Sequence, residues 1–266
     1  MTRILQVSDL HIMPEGQLFH GQIDTAQALR EMLSGLAGLL PAIGPVERIV
    51  LSGDLTETGC VDAYAMLQAI MAECPLPWRV IPGNHDSREG VRALAADALS
   101  MPATGPINWR EDVGDVTLLG VDTLVEGAAH GTLAAESLDW LSSTLRGLQG
   151  RQVLLFMHHP PCTTGIAAMD DIGLLNHSEL AEIVVAHAGP LQIACGHVHR
   201  MMIGQFAGRQ VVIAPGTSHA VILDMRARME FGFIPGHRGA VLHSFGDHCQ
   251  SALISSADFA DPFPFS

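Results

Sequence analysis

Lysine is absent from this 266-residue chain, so its 14 fixed cations are all arginines. Against 28 acidic residues they leave a formal net charge of −14 and no basic stripe, which excludes a grip on polymeric nucleic acid. A small anion held by a local positive centre stays compatible with that balance. Charged residues are only 16% of the chain and hydrophobic ones 48%, which excludes intrinsic disorder. Long apolar runs are missing: the uncharged stretch from Met32 to Val46 is broken by Pro41 and Pro45, so no membrane span is expected. Five scattered cysteines without a C-x-x-C pair form neither a disulfide framework nor a thiolate zinc site. Met1-Thr-Arg runs straight into an apolar strand with no signal-peptide core. With an odd number of thiols, this makes the cytoplasm the expected compartment. Tyrosine occurs once, at Tyr64, inside a helical pattern, so it offers little as a platform for a base. What the chain has in excess is histidine, with 14 copies.

Short apolar runs alternate with helical patterns. Strands are expected at Ile4–Ser8, Arg48–Ser52, Trp78–Ile81, Thr117–Val121, Val153–Met157 and Leu191–Cys195, several apolar at nearly every residue, as in strands covered on both faces. Helices are expected at Thr25–Leu40, Val61–Glu73, Arg88–Leu99, Ala134–Leu148 and His177–Ala186, with capping boxes at Asp24/Gln27 and Asn176/Glu179. After His199 the pattern is strand only: a hairpin over Ile203–Ala214 around Gly208, then Ala220–Asp224, Glu230–Ile234 and Ala240–Phe245. This describes an α/β chain with layered sheets, residues 1–266 forming one domain whose part from about residue 200 is strand-rich. The tail Phe259–Ser266 reads as a surface strap, with a homo-oligomer contact as the alternative. Met66, Met71 and Met101 read as core filling.

The chemistry sits at strand ends. Ile4-Leu-Gln-Val-Ser leads to Asp9-Leu-His11, Ile49-Val-Leu-Ser to Gly53-Asp54, and Arg79-Val-Ile-Pro to Gly83-Asn84-His85-Asp86. Leu154-Leu-Phe-Met leads to His158-His159-Pro160, and Ile193-Ala-Cys to Gly196-His197-Val198-His199. Open α/β sheets place their ligand crevices at these carboxyl ends. Two carboxylates, an amide oxygen and four imidazoles are too many ligands for one tetrahedral zinc, but they suit two metals sharing a carboxylate. Mixed N/O ligation fits Fe, Mn, Zn or Co. Two divalent ions less Asp9, Asp54 and one hydroxide leave about +1, the charge that neutralises a phosphodiester monoanion.

This ordered set, D-x-H … G-D … G-N-H-D … H … G-H-x-H, resembles the calcineurin-like metallophosphoesterase superfamily over Asp9 to His199. Within it, Phe156-Met-His-His-Pro-Pro161, Met169-Asp-Asp-Ile-Gly-Leu-Leu-Asn176 and Ala214-Pro-Gly-Thr-Ser-His219 are similar to bacterial class III cyclic-nucleotide phosphodiesterases and glycerophosphodiesterases. The resemblance implies a four-layer αββα sandwich of two mixed sheets. It implies that Asp9, His11, Asp54 and His199 hold one divalent ion, and Asp54, Asn84, His158 and His197 the other, with Asp54 bridging. His85 would face the leaving-group oxygen. Asn84, His85, His199 and His219 would contact substrate, with His219 at its rim. Purple acid phosphatases need a tyrosine three residues after the bridging aspartate; here that residue is Glu57, which disfavours that branch.

Asp86 reads as an orienting partner of His85 or a cap for the helix at Arg88. His159 reads as a hydrogen-bonding neighbour of His158. His20, His130, His187, His237, His243 and His248 carry no motif and read as surface or loop residues. The expected activity is hydrolysis of a small phosphodiester, with cyclic AMP first and a glycerophosphodiester as the alternative. A metal-poor protein-binding scaffold would lack some of these ligands, a protein phosphatase would need accessory segments, and a nuclease conflicts with the charge.

Overall fold

The computed structural model describes residues 1–95, 101–226, 231–236 and 238–260. Strands β1 (Thr2–Val7), β2 (Arg48–Ser52) and β3 (Trp78–Ile81) pair in parallel, and β1 also pairs antiparallel with β12 (Gly239–Phe245), which pairs with β13 (Gln250–Ser255). This mixed sheet has the order β13-β12-β1-β2-β3. A second, six-stranded sheet has the order β4-β5-β6-β7-β9-β8. It uses β4 (Trp109–Val113), β5 (Val116–Val121), β6 (Gln152–Met157), β7 (Leu191–Cys195), β8 (Met202–Phe206) and β9 (Arg209–Ile213). A two-stranded arm, β10 (His219–Val221) with β11 (Phe233–Pro235), stands apart.

Alternation along the strands decides how the layers stack. Leu118, Leu154, Phe156 and Ala194 point from the second sheet into the core shared with β1–β3, whereas Leu119, Val153, Leu155 and Ile193 point outward. The outward set is covered by α4 (Ala135–Arg146), α5 (Ala167–Asp170) and α6 (His177–Ala186) through Leu141, Leu145, Met169, Leu180 and Val184. On the far side, α1 (Thr25–Ile43), α2 (Val61–Ala72) and α3 (Arg88–Leu94) bury Leu29, Met32, Leu67, Ile70 and Val91 against the first sheet. The result is the four-layer αββα sandwich of two mixed sheets. Gln6 crosses its centre: its amide donates to Ser52 Oγ (2.9 Å) and to the Cys195 carbonyl of the other sheet (2.8 Å).

Several expectations need correction. β4 and β13 were not anticipated; both are edge strands, β4 burying only its end residues Trp109 and Val113 and β13 only Ile254. The strand expected over Ala220–Asp224 is the shorter β10, and that over Glu230–Ile234 is β11, with Glu230 outside the described residues. Residues 96–99 of the helix expected from Arg88 also lie outside them. α1 continues through Pro41 to Ile43, because a proline in the last turn forfeits a single backbone bond. Asp24 caps α1 by accepting from the Gln27 amide (2.8 Å), but the Gln27 side chain reaches Glu31 instead. Asn176 caps nothing: its amide pairs with both backbone groups of Leu133 at 2.9 Å. A 3-10 helix at Ser256–Phe259 interrupts the strand-only last third, and its Phe259 ring lies over Gly35 of α1. The rest of the tail, 261–266, and His237 are outside the described residues. His187 and His243, read as surface residues, are buried. His243 lies within β12, between Ser251 Oγ (2.8 Å) and Gln6 Oε1 (3.0 Å), and burial pushes it down to about 3.

Candidate metal centre

The loops leaving β1, β2, β3, β6 and β7 meet at one end of the two sheets. Asp9, His11, Asp54, His197 and His199 all adopt positive φ, at 55°, 47°, 48°, 73° and 54°. Non-glycine residues rarely accept this region, and such strain collects at functional sites. Cross-loop hydrogen bonds hold it: the Asp9 amide donates to the Gly53 carbonyl (3.1 Å), and the Leu10 and His11 amides both donate to the Asp54 carbonyl (2.8 and 2.9 Å). Gly53 has φ 97° and its α-carbon faces the His158 ring, so a Cβ there would collide with the imidazole. Asp86 ties the neighbouring loops, accepting from the amides of Leu55 (3.0 Å), Thr56 (3.1 Å) and Gly83 (2.9 Å) and from the Tyr64 hydroxyl (3.0 Å). It therefore neither orients His85 nor caps α3; Ser87 is the cap.

The structure brings all seven expected ligands together. His11 Nδ1–H donates to Glu57 Oε2 (2.6 Å) and His158 Nδ1–H to the Ser52 carbonyl (3.0 Å). Their Nε2 atoms then converge on one oxygen, Asp54 Oδ2, at 3.4 and 3.3 Å. Asn84 Oδ1 lies 3.2 Å from His158 Nε2 and 3.0 Å from His197 Nδ1. His199 Nε2 lies 3.5 Å from Asp9 Oδ1 and 3.1 Å from His11 Nε2. Asp9, His11, Asp54 and His199 can thus offer one atom each to a single ion. His159 lies beside His158 and His197 and could join them around an ion, but both its nitrogens are engaged, Nε2 donating to the Ala129 carbonyl (3.2 Å) and Nδ1 accepting from Thr123 Oγ1 (2.8 Å). His85 donates its backbone N–H to Asp54 Oδ1 (3.0 Å) and Nδ1–H to the Glu57 carbonyl (2.9 Å).

Burial lifts the Asp9 carboxyl to about 6, with His158 opposing and Asp54 reinforcing the rise. Burial also works against Asp54 as an anion, but His158 and His11 outweigh it and hold it well below the usual range. Burial disfavours a proton on His158, yet Asp54 and Asp9 raise it to about 9. Burial and then His158 push His197 down to about 3; burial and then His11 hold His199 well below normal. These carboxylates therefore draw positive charge onto His158 while His197 and His199 beside it are held neutral, and a metal cation would take the place of that proton. Asp9 Oδ2 is buried without a hydrogen-bond partner, and two imidazole Nε2 atoms face one carboxylate oxygen. Donor set, burial and the unpaired oxygen all fit divalent cations.

Above the cluster opens a cavity of about 440 Å³. Its floor includes His11, Asp54, Asn84, His197 and His199, and its walls carry Phe19, His20, Phe231 and Phe233. His219 lies beneath this wall, 3% exposed, stacked on Phe19 (4.4 Å, 20°) and beside His199 (4.4 Å). The aromatic wall is not legible from motifs: Phe19, Phe231 and Phe233 belong to none, and His20, exposed in its loop as expected, also lines the cavity. None of the three prolongs a motif, but Phe19-His20 is an aromatic pair in an irregular loop only eight residues past His11.

A family model described as calcineurin-like phosphoesterase matches residues 2–201. The chain is 29% identical over 265 residues to a probable glycerophosphodiester phosphodiesterase GpdQ of Arcobacter nitrofigilis, covering 98% of this chain and 96% of that one. It is 31% identical over 248 residues to a probable cyclic nucleotide phosphodiesterase of Rhodococcus erythropolis, covering 89% and 76%. A dimetal phosphatase from Danio rerio superposes with a TM-score of 0.61 at 16% identity, covering 96% of this chain and 98% of that one, a likeness of fold.

Proposed function

Since the chain belongs to the calcineurin-like phosphoesterase family, we propose that it is a two-metal hydrolase of small phosphodiesters, with a 3′,5′-cyclic nucleotide as the substrate its cavity suits best. One ion would be held by Asp9, His11, Asp54 and His199, and the other by Asp54, Asn84, His158 and His197, with Asp54 shared. When bound, such ions polarise phosphoryl oxygens and make water nucleophilic at neutral pH.

The chain's own residues then do four things. Asn84, His85, His199 and His219 form the part of the cavity on which the phosphodiester rests. With Nδ1–H committed to the Glu57 carbonyl, His85 presents Nε2 to the leaving oxygen and, as the imidazolium carrying a proton on each ring nitrogen, hands it the Nε2 proton. His159, with both ring nitrogens engaged, packs behind His158 and His197. The aromatic wall excludes water and offers a nucleobase the exposed Phe231 ring. All seven donors stand together, which argues against a metal-poor scaffold. We further infer action in the cytoplasm, in keeping with five cysteines that form no disulfide.

The charge of the cavity is the observation that carries the diester reading. No arginine lines it among the described residues, and Arg200, the one cation flanking the motifs, donates to the Val221 carbonyl. A monoester dianion would thus face Asp9, Asp54 and Glu57 with no fixed cation beside it. A glycerophosphodiester is the second reading, favoured by the near full-length match to a relative of that name.

The test is a panel of cyclic AMP, glycerophosphocholine, bis-p-nitrophenyl phosphate and p-nitrophenyl phosphate on protein reconstituted with Mn or Fe. At one neutral pH and metal loading, kcat/KM for the diester should exceed that for its monoester. Turnover of none would overturn the reading, and a clear monoester preference would overturn its diester half.

A further inference from the structure

We infer that the Glu57 carboxylate is a positioning residue of this centre, fixing the His11 imidazole so that Nε2 faces the ion of the Asp9–His11–Asp54–His199 set and thereby setting affinity for that ion. The inference rests on the two-metal reading above. Glu57 is itself pinned: its amide donates to the Ile12 carbonyl (3.2 Å), one residue past His11, and Thr56 bridges Ile12. The preceding Thr56 amide donates to Asp86 (3.1 Å), so the chain enters Glu57 from a fixed turn.

An ionised carboxylate can only accept, so the 2.6 Å contact puts the proton of neutral His11 on Nδ1 and leaves the Nε2 lone pair for a cation. The same residue orients a second ring, because its carbonyl accepts from His85 Nδ1–H at 2.9 Å. The His11 and His85 rings meet edge to face at 4.7 Å, both oriented by Glu57. Two other roles fit less well. Glu57 could offer an atom to an ion together with His11 and His85, but the 2.6 Å contact of Oε2 with His11 Nδ1 is hydrogen-bond distance and leaves no cation between them. A surface ion pair also fits less well, because the His11 ring is buried at 3% exposure and its contact with Glu57 is a directed hydrogen bond from one ring nitrogen. Carboxylate partners of metal-bound imidazoles raise metal affinity by about 10–100-fold.

The experiment compares wild type, Glu57→Gln and Glu57→Ala by titrating metal-stripped protein with Co(II), followed by its visible absorption, alongside the Tm of each stripped chain. For Glu57→Ala, affinity for one ion should fall by about 10–100-fold, with the other ion's affinity and the stripped-chain Tm close to wild type. Glu57→Gln should fall between them, since its amide oxygen still accepts from Nδ1–H without the charge. Two unchanged affinities in Glu57→Ala would overturn the inference alone. So would equal weakening of both ions, or a lowered stripped-chain Tm in both variants, since either points to a structural role. A wild type that takes up no cobalt would overturn the two-metal reading itself.

Discussion

Replacing His85 with alanine separates proton donation from metal binding. The imidazole is 36% exposed and makes one hydrogen bond, to the Glu57 carbonyl. Losing that bond costs roughly 0.5–1.5 kcal/mol of stability. The bond that matters to the centre comes from the His85 backbone, whose N–H reaches Asp54 Oδ1 at 3.0 Å and which alanine keeps. Both ions should therefore stay. Turnover should fall by about 10²–10⁴-fold, the usual contribution of a positioned general acid, or roughly 2.7–5.4 kcal/mol of barrier. The loss should be full for cyclic AMP, whose ribose alkoxide leaves poorly, and should shrink for bis-p-nitrophenyl phosphate, whose p-nitrophenolate needs no proton. Steady-state kinetics on both substrates, with elemental analysis of the same preparations, make the measurement. Equal losses on the two substrates, or a fall in bound metal, would refute the assignment.

Asp54→Ala removes the oxygen that faces both His11 and His158, so elemental analysis should find both ions lost together; two ions retained per chain would end the shared-ligand assignment. Phe231→Ala should raise KM for cyclic AMP roughly 5–150-fold, from about 1–3 kcal/mol of base stacking, and leave glycerophosphocholine unaffected; equal effects would place no base on that ring. His243 is depressed to about 3 by burial, so the unfolded chain binds a proton first and stability falls as pH drops below about 6.5. Relative to His243→Gln, wild type should lose about 1.4 kcal/mol per pH unit between roughly 6 and 3 in urea melts, and parallel curves would contradict this.

The central strands were legible because burial on both faces writes a nearly continuous apolar run, as in Val153–Met157 of β6. β4 was not, because in Trp-Arg-Glu-Asp-Val only the end residues are buried, as suits a sheet edge. The seven candidate donors could be picked out because each follows one of the strands β1, β2, β3, β6 and β7. Asn176 misled: asparagine favours helix caps, but here tertiary pairing with Leu133 outbid the local preference. His243 carried an overlooked signal, an imidazole inside the run Ala-Val-Leu-His-Ser-Phe, where a surface residue is out of place. The aromatic wall had no period to read, because Phe19 and Phe231 lie outside the named strands and helices and meet only in three dimensions.

The donors are divided between the sheets: Asp9, His11, Asp54 and Asn84 follow β1, β2 and β3, while His158, His197 and His199 follow β6 and β7. Asp54 has an imidazole from each side, and His197 donates its amide to Asp9 Oδ1 across the same seam (2.8 Å). Ions held there act as rivets through the two halves of the sandwich. With the proposed ligand sets, neither half would peel away without breaking the coordination of both ions, so opening the seam and releasing metal would become one event. A loaded chain should therefore lack the partly open states in which one sheet loosens alone, and each tenfold rise in free metal above Kd should add about 1.4 kcal/mol per ion against opening.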